Sequence, residues 1–208
     1  MVDARSVERE RVKREISLSR AASAATTIGD IKPGYELYCL TMGQFDLSDA
    51  LVHLLDQVGP SDVVVATWTA AKADLDKAKR LITDKRINNL RFVVDQSFPN
   101  RQPKYYEQLI NAFGIDSVCV CRSHAKYMLI GNEDYRLVVR TSANLNANKR
   151  MENIEISEDP KLYDFMMEVT ADIFLENGTL YAPELPNIEA IAPTPGIKLG
   201  SKNVRLGK

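Results

Sequence analysis

Several residue types and features are scarce in this chain of 208 residues, and each scarcity argues against a class of protein or site. The three cysteines are odd in number and lie in apolar runs, which predicts buried free thiols of a reducing compartment. With only two histidines, the sequence offers no ligand cluster for a metal. The formal net charge of -1 excludes a global positive field, so any nucleic-acid site must be a local patch. There is no apolar run of eighteen residues and the N-terminus is charged, so we expect a soluble, cytoplasmic protein without a membrane span.

Apolar and amphipathic segments alternate through the middle of the chain, as in α/β proteins. Strands are predicted over 36–41, 62–68, 90–95 and 117–121, and helices over 47–58, 69–85 and 104–113. A hairpin of strands over 124–130 and 135–140, a polar loop, a strand over 152–157 and a helix over 160–176 follow. The pattern predicts an α/β fold with a mixed, largely parallel sheet sandwiched by helices.

The two ends of the chain differ from this middle part. Residues 2–25 carry alternating charges and a partial apolar stripe, which indicates a helical arm. Its glutamates dilute the positive charge, so the arm favours dimerisation or a protein partner over DNA. Proline and basic residues at the other end indicate a flexible tail. We therefore expect an arm over 1–28, a main domain over 29–182 and a tail over 183–208.

The most distinctive chemistry lies between residues 124 and 155. His124 and Lys126 are separated by one residue, so a strand would direct both to one face. Histidine can serve as a nucleophile or proton carrier near neutral pH. Ser142 and Asn144 follow the next strand, where a loop can present a hydroxyl and an amide to an oxyanion. Glu155 opens a later strand and is a candidate to hold the imidazole in one tautomer.

This order resembles the signature of the phospholipase D superfamily, which reads H-x-K, then G-S-x-N, then N-x-E. The matching positions are His124, Lys126, Ser142, Asn144, Asn153 and Glu155. Two positions depart from it, because the family's aspartate falls on Gly131 and Thr141 replaces the glycine before the serine. The resemblance implies a phospholipase D-like fold and, as in single-motif members, a homodimer with one site between two copies.

Cleavage of a phosphodiester by a histidine nucleophile also needs a separate acid, generally a second imidazole. A site must neutralise the phosphate oxygens, supply a nucleophile and protonate the leaving alkoxide. Lys126 and Asn144 suit the first task, and His124 suits the second by forming a phosphohistidine. One imidazole cannot also be the acid, and His53 lies on an amphipathic helix without the motif lysine. The sequence therefore predicts a homodimer that needs no metal or cofactor.

Basic residues around the motif favour nucleic acid, DNA above all, as the substrate. The candidate substrate-binding residues are Arg122, Arg140, Lys149 and Arg150. Two interpretations remain open: a nuclease-like phosphodiesterase, or a catalytically impaired relative that binds nucleic acid or serves in an assembly. Gly131 favours the second and the intact motif favours the first. Phosphatidyl transfer is a third and weaker interpretation, because no apolar entry or amphipathic membrane surface is evident in the sequence.

Overall fold

The computed structural model describes residues 14–68, 70–145 and 149–176, which form an eight-stranded sheet with helices on both faces. The strands are Glu15–Leu18 (β1), Glu36–Thr41 (β2), Ser61–Thr67 (β3), Ile87–Asp95 (β4), Val118–Cys121 (β5), Tyr127–Gly131 (β6), Arg136–Thr141 (β7) and Glu152–Glu158 (β8). The helices are Ala24–Ile28 (α1), Leu47–Val58 (α2), Lys72–Thr83 (α3), Phe98–Arg101 (α4), Pro103–Phe113 (α5) and Pro160–Leu175 (α6). Within these ranges no helix has the length and apolar character to cross a membrane.

The sheet confirms the predicted α/β class and corrects one part of it. The strand order is β1-β2-β8-β7-β6-β3-β4-β5. The pairs β1–β2, β3–β4 and β4–β5 are parallel, whereas the pairs that involve β6 or β8 are antiparallel. The prediction of a largely parallel sheet is therefore wrong. The hairpin and the strand after it insert between β2 and β3 rather than extending one side of a parallel sheet.

Two apolar layers cover the two faces of the sheet. In β3, Val63 and Val65 pack into the layer formed with α1–α5, and Val64 and Ala66 pack into the layer under α6. Since alternate side chains of a strand point to opposite faces, a continuous apolar run is required where both faces are covered. Helix α6 packs on β5, β6 and β7. On the same face of the sheet, β8, β2 and β1 lie to one side of this helix.

The N-terminal segment differs from its prediction. Residues Glu15–Leu18 form β1 and pair in parallel with β2, so the predicted helix over 2–25 is wrong there. Ile16 and Leu18 alternate with polar residues, a period-two pattern that suits the open edge of β2 better than a helix. Within the described residues the first helix is α1, where the Ser23 hydroxyl accepts a hydrogen bond from the Thr26 N–H. Residues 1–13 and the predicted tail over 183–208 lie outside the described residues.

The structure gives a steric reason for glycine at the position of the family's aspartate. Gly131 ends β6, and a Cβ atom placed there would overlap the hydroxyl and Cζ of Tyr163. Tyr163 is buried in the layer under α6. Lys126 lies about 16 Å away along the strand, at about 3.3 Å per residue. The missing aspartate therefore leaves a packed contact at the far end of β6, and no gap beside His124.

We predict that Gly131→Ala lowers the free energy of unfolding by about 1–3 kcal/mol, because the added methyl group overpacks against Tyr163. In a Tyr163→Leu background the same substitution should cost less, giving a coupling that a double-mutant cycle in urea measures. Equal costs in the two backgrounds would contradict the steric explanation.

Candidate active site

Strand ends along one edge of the sheet bring the loops of His124, Lys126 and Asn144 together. Strands β3, β4, β5 and β7 end at this edge, and the antiparallel strands β6 and β8 begin there. The loop before β6 carries His124, and the loop after β7 carries Asn144. Loops at the strand ends of α/β sheets are common ligand sites. Residues far apart in sequence therefore share one edge.

His124 and Lys126 come together although they do not lie on a strand. Strand β6 begins at Tyr127, so the prediction of a strand from 124 is wrong. The Lys126 Nζ atom lies 3.4 Å from the His124 Nδ1 atom and 3.3 Å from the His124 carbonyl oxygen. The imidazole is exposed and the lysine is half-buried. A cation thus stands beside an accessible imidazole.

The loop that carries Asn144 is tied to the end of β3. The Trp68 N–H donates to the Asn144 Oδ1 atom at 3.3 Å, and the Leu145 N–H donates to the Thr67 hydroxyl at 3.2 Å. Leu145 is buried and forms a bridge with Ala70. Because its oxygen accepts from the backbone, the Asn144 amide nitrogen is the group left to donate to a ligand.

Trp68 also connects this loop to the histidine. Its ring centroid lies 5.8 Å from that of His124, with the planes tilted by 58°. One residue therefore contacts His124 through its ring and Asn144 through its backbone. The sequence does hold a signal for Trp68, because it is the only tryptophan and stands at the end of an apolar run. Sequence motifs did not identify this residue, because none of them includes it.

Ser142 and Thr141 stabilise the turn after β7. The Ser142 hydroxyl donates to the Glu152 carboxylate and accepts from the Asn153 N–H at 3.1 Å. The Thr141 hydroxyl donates to the Asn153 carbonyl at 2.7 Å and accepts from the Ala143 N–H at 3.0 Å. Thr141 lies in β7, where a β-branched residue is favoured, so the family's glycine is not required for the backbone here. Both hydroxyls are engaged within the protein.

Glu155 and Arg140 lie on the face of the sheet that α6 covers. Arg140 is paired in register with Tyr127, which faces the layer under α6, and Lys126 precedes that tyrosine. Glu155 is the register partner of Arg140, and its Oε1 atom accepts ion pairs from Arg140 at 3.1 Å and Arg14 at 2.9 Å. Among the described residues, the Glu155 carboxylate therefore pairs with two arginines and makes no hydrogen bond with the imidazole.

The other candidate substrate-binding residues are exposed. Arg122 follows β5, and Lys149 and Arg150 lie in the loop that leads into β8. All three belong to connections at the edge that carries His124. Their side chains make no described hydrogen bond or ion pair within the chain.

Asp95 links two of the connections at this edge. Its carboxylate accepts hydrogen bonds from the Ser97 N–H, the Ser97 hydroxyl and the N–H of Ser123, the residue before His124. Partial burial raises the pKa of Asp95. The hydrogen bonds from Ser97 and Ser123 and the charge of Arg101 together lower it by more, so the pKa lies below its usual value. The ionised carboxylate therefore holds the loop before the histidine.

Among the described residues, no group of three or more histidine, cysteine, aspartate or glutamate side chains is arranged to hold a metal ion. All three cysteines are buried and free, as the sequence predicts. His53 is half-buried on α2, and its Nε2 atom lies 2.9 Å from the Gly29 carbonyl oxygen.

Comparisons with known proteins give only distant similarity. No family model matches the chain, and no curated protein matches it. NucT from Helicobacter pylori is 17% identical with a TM-score of 0.47, over 68% of this chain and 97% of that one. Polyphosphate kinase from Porphyromonas gingivalis is 12% identical with a TM-score of 0.43, over 65% of this chain and 23% of that one. TrmBL2, an archaeal chromatin protein, is 10% identical with a TM-score of 0.41, over 74% of this chain and 56% of that one. These values do not assign a family or an activity.

We predict that Asp95→Asn lowers the free energy of unfolding by about 1 kcal/mol at neutral pH, because neutral amides accept weaker hydrogen bonds. Since the pKa of Asp95 is lowered on folding, its contribution is present above the unfolded value of about 3.9 and is lost as the pH falls through the folded value. Urea unfolding of both proteins between neutral and acid pH measures this.

The matched control is Asp116→Asn, at an exposed carboxylate in the short 3-10 turn Ile115–Ser117. It should leave the unfolding free energy nearly unchanged. A difference between Asp95→Asn and the wild type that stays constant down to strongly acid pH would contradict the role given to this carboxylate.

Proposed function

We propose that this protein is a nuclease-like phosphodiesterase that cleaves nucleic acid without a metal, through a phosphohistidine formed at a homodimer interface. The observation that carries the proposal is the pair of His124 and Lys126, with 3.4 Å between the imidazole Nδ1 and the ammonium Nζ. Asn144 is held at the same edge by a hydrogen bond from the Trp68 N–H. A nucleophile, a cation and an amide donor are the groups that attack on a phosphodiester needs.

In the first step, the Nε2 lone pair of His124 attacks phosphorus, and the bond from phosphorus to the leaving oxygen breaks. The partner subunit's His124 gives its proton to that oxygen, so the leaving group departs as an alcohol. Lys126 and the Asn144 amide stabilise the charge on the non-bridging oxygens. In the second step, the partner imidazole takes a proton from water, the water oxygen bonds to phosphorus, and the phosphorus–nitrogen bond breaks.

Lys126 also sets which ring nitrogen of His124 can react. When the ammonium donates to Nδ1, the neutral ring carries its proton on Nε2 and cannot attack. A bound phosphate that attracts the ammonium frees Nδ1 to hold the proton, which leaves the Nε2 lone pair for phosphorus. The lysine thus couples substrate binding to the nucleophilic tautomer.

The second imidazole is the reason for the homodimer. The chain has two histidines, and His53 lies on α2 with its ring against the Gly29 carbonyl. A second copy is therefore the source of the acid, and a two-fold axis beside the exposed His124 would place two equivalent imidazoles on one phosphate. Two such imidazoles would titrate as a coupled pair, one neutral and one charged.

Nucleic acid fits the charge around this edge. The exposed side chains of Arg122, Lys149 and Arg150 would contact phosphates on either side of the scissile one. The chain presents no described element for reading base edges, so we expect little sequence specificity.

A second candidate is a catalytically impaired relative that binds nucleic acid or serves as an assembly component. Glu155 supports this candidate, because it pairs with Arg14 and Arg140 and leaves the imidazole without a carboxylate to orient it. The Ser142 hydroxyl is likewise engaged by Glu152. Binding without cleavage is the behaviour expected of this candidate.

We predict that the purified protein cleaves single- or double-stranded DNA in the presence of EDTA and that His124→Ala lowers the rate at least about a hundredfold. His53→Ala removes the only other histidine and is the matched control, which should retain activity when folded. Cleavage that survives in His124→Ala would contradict the proposal. DNA binding by the wild type without cleavage would favour the impaired relative.

We also predict that wild-type and His124→Ala protein, unfolded together and refolded as mixtures, give activity proportional to the square of the wild-type fraction. Each site needs both imidazoles, so only wild-type homodimers cleave. Activity that falls linearly with the wild-type fraction would show that one copy is sufficient, and gel filtration would then distinguish a monomer from a dimer with two independent sites.

A further inference from the structure

The guanidinium group of Arg101 is held in one place while remaining exposed. Its Cζ atom lies 3.6 Å from the centroid of the Trp68 ring. Its NH2 group donates to the Trp68 carbonyl at 2.8 Å, and its Nε donates to the Ser97 hydroxyl at 3.0 Å. An exposed arginine is normally free to change rotamer, and ordering it costs conformational entropy on binding. Here three contacts have already ordered the side chain.

This cation is not neutralised by a direct partner. No described carboxylate lies within ion-pair distance of Arg101, and Asp95 acts on it only through Ser97 and at longer range. By contrast, Arg14 and Arg140 both pair with Glu155 on the other face of the sheet. A planar guanidinium that keeps unused N–H donors is suited to two parallel hydrogen bonds with a phosphate.

The position of Arg101 indicates which phosphate it would bind. The Trp68 ring contacts the guanidinium and lies 5.8 Å from the His124 ring, so one aromatic ring separates the guanidinium from the imidazole. Lys126 already stands beside His124 for the phosphate that reacts. The Arg101 guanidinium lies beyond the Trp68 ring on the same edge, where it could bind the next phosphate of a polynucleotide.

We infer that Arg101, held by Trp68 and Ser97, is a second phosphate subsite that binds the phosphate next to the scissile one in a polynucleotide. The inference rests on the proposed function and makes it more specific, because a substrate that fills both subsites must carry consecutive phosphodiesters. Trp68 is a positioning residue in this arrangement. The ring face that holds the guanidinium is not free to stack on a base.

The test uses a fluorescently labelled single-stranded oligonucleotide and the His124→Ala protein, so that binding is measured whether or not the enzyme cleaves. Adding Arg101→Ala should weaken binding about tenfold, because one charge-assisted contact is lost. The slope of log affinity against log salt should fall by about 0.7, the value for one phosphate contact on a single strand. Arg101→Lys should recover only part of the affinity, since lysine keeps the charge but not the planar stack.

The matched control is Arg91→Ala, which removes another exposed arginine over an aromatic ring. Arg91 lies 5.5 Å from the Phe174 ring centroid on the face of the sheet that α6 covers. Its loss should leave oligonucleotide affinity and the salt slope unchanged. An equal effect of both substitutions would overturn the inference, because it would indicate a general loss of positive charge. No effect of Arg101→Ala on affinity would also overturn it.

A second measurement separates the neighbouring phosphate from the scissile one. With His124 intact, Arg101→Ala should lower kcat/KM for the oligonucleotide about tenfold more than kcat/KM for bis(4-nitrophenyl) phosphate, which has a single phosphate. Equal losses on both substrates would place Arg101 on the scissile phosphate and overturn the inference. If the wild type cleaves neither substrate, the proposed function fails, and the binding experiment in the His124→Ala protein still decides the subsite.

Discussion

The direction of β6 and β7 brings the candidate catalytic residues to one edge of the sheet. Because β6 and β8 run antiparallel to their neighbours, they begin at the edge where β3 and β7 end. His124 precedes β6, Trp68 follows β3 and Asn144 follows β7, so the three residues share that edge. In a fully parallel sheet the start of β6 would lie at the opposite edge from the end of β3. The antiparallel insertion is thus the constraint on which the site depends.

Cationic side chains have different partners on the face under α6 and at the edge that carries His124. On the face that α6 partly covers, Arg14 and Arg140 converge on Glu155, and burial of that carboxylate favours direct pairing. At the edge, Lys126 and Arg101 instead contact groups other than carboxylates: an imidazole, backbone carbonyls, a hydroxyl and an aromatic ring. Positive charge that is held in place but not cancelled attracts an anion. A chain with a net charge of -1 can therefore still present a local phosphate site.

The strand and helix order of the middle part could be predicted from the sequence, because it depends on local spacing. The proximity of His124 and Lys126 was also predicted, but from a strand that does not extend to these two residues. Sequence reasoning could not predict that Tyr163 occupies the space beside Gly131, since 32 positions separate the two residues and only the packing of α6 brings them together. The orientation of Glu155 was open to prediction. It lies between Ile154 and Ile156, and two buried apolar neighbours on a strand direct the residue between them to the other face.

Arg101 shows a different limit of the sequence. Its partner Trp68 is 33 positions away, and the short helix α4 that positions it carries no periodic pattern to detect. Pattern-based reasoning finds residues that repeat or match a motif, whereas a stacked guanidinium depends on two loops that meet only in the folded chain. For the same reason the role of Asp95 followed from the hydrogen bonds it accepts, and not from its position after an apolar strand.

The central claim is that one phosphate binds between the imidazoles of two copies, beside the lysine and the asparagine loop. A crystal structure of the protein with tungstate, an oxyanion that mimics phosphate, tests this most directly. We expect one tungstate on a two-fold axis, with oxygens in hydrogen-bond contact with Lys126 Nζ and the Asn144 amide and with an imidazole nitrogen of each His124 directed at it. Tungstate bound elsewhere, or His124 rings held far apart in every assembly of the crystal, would contradict the account.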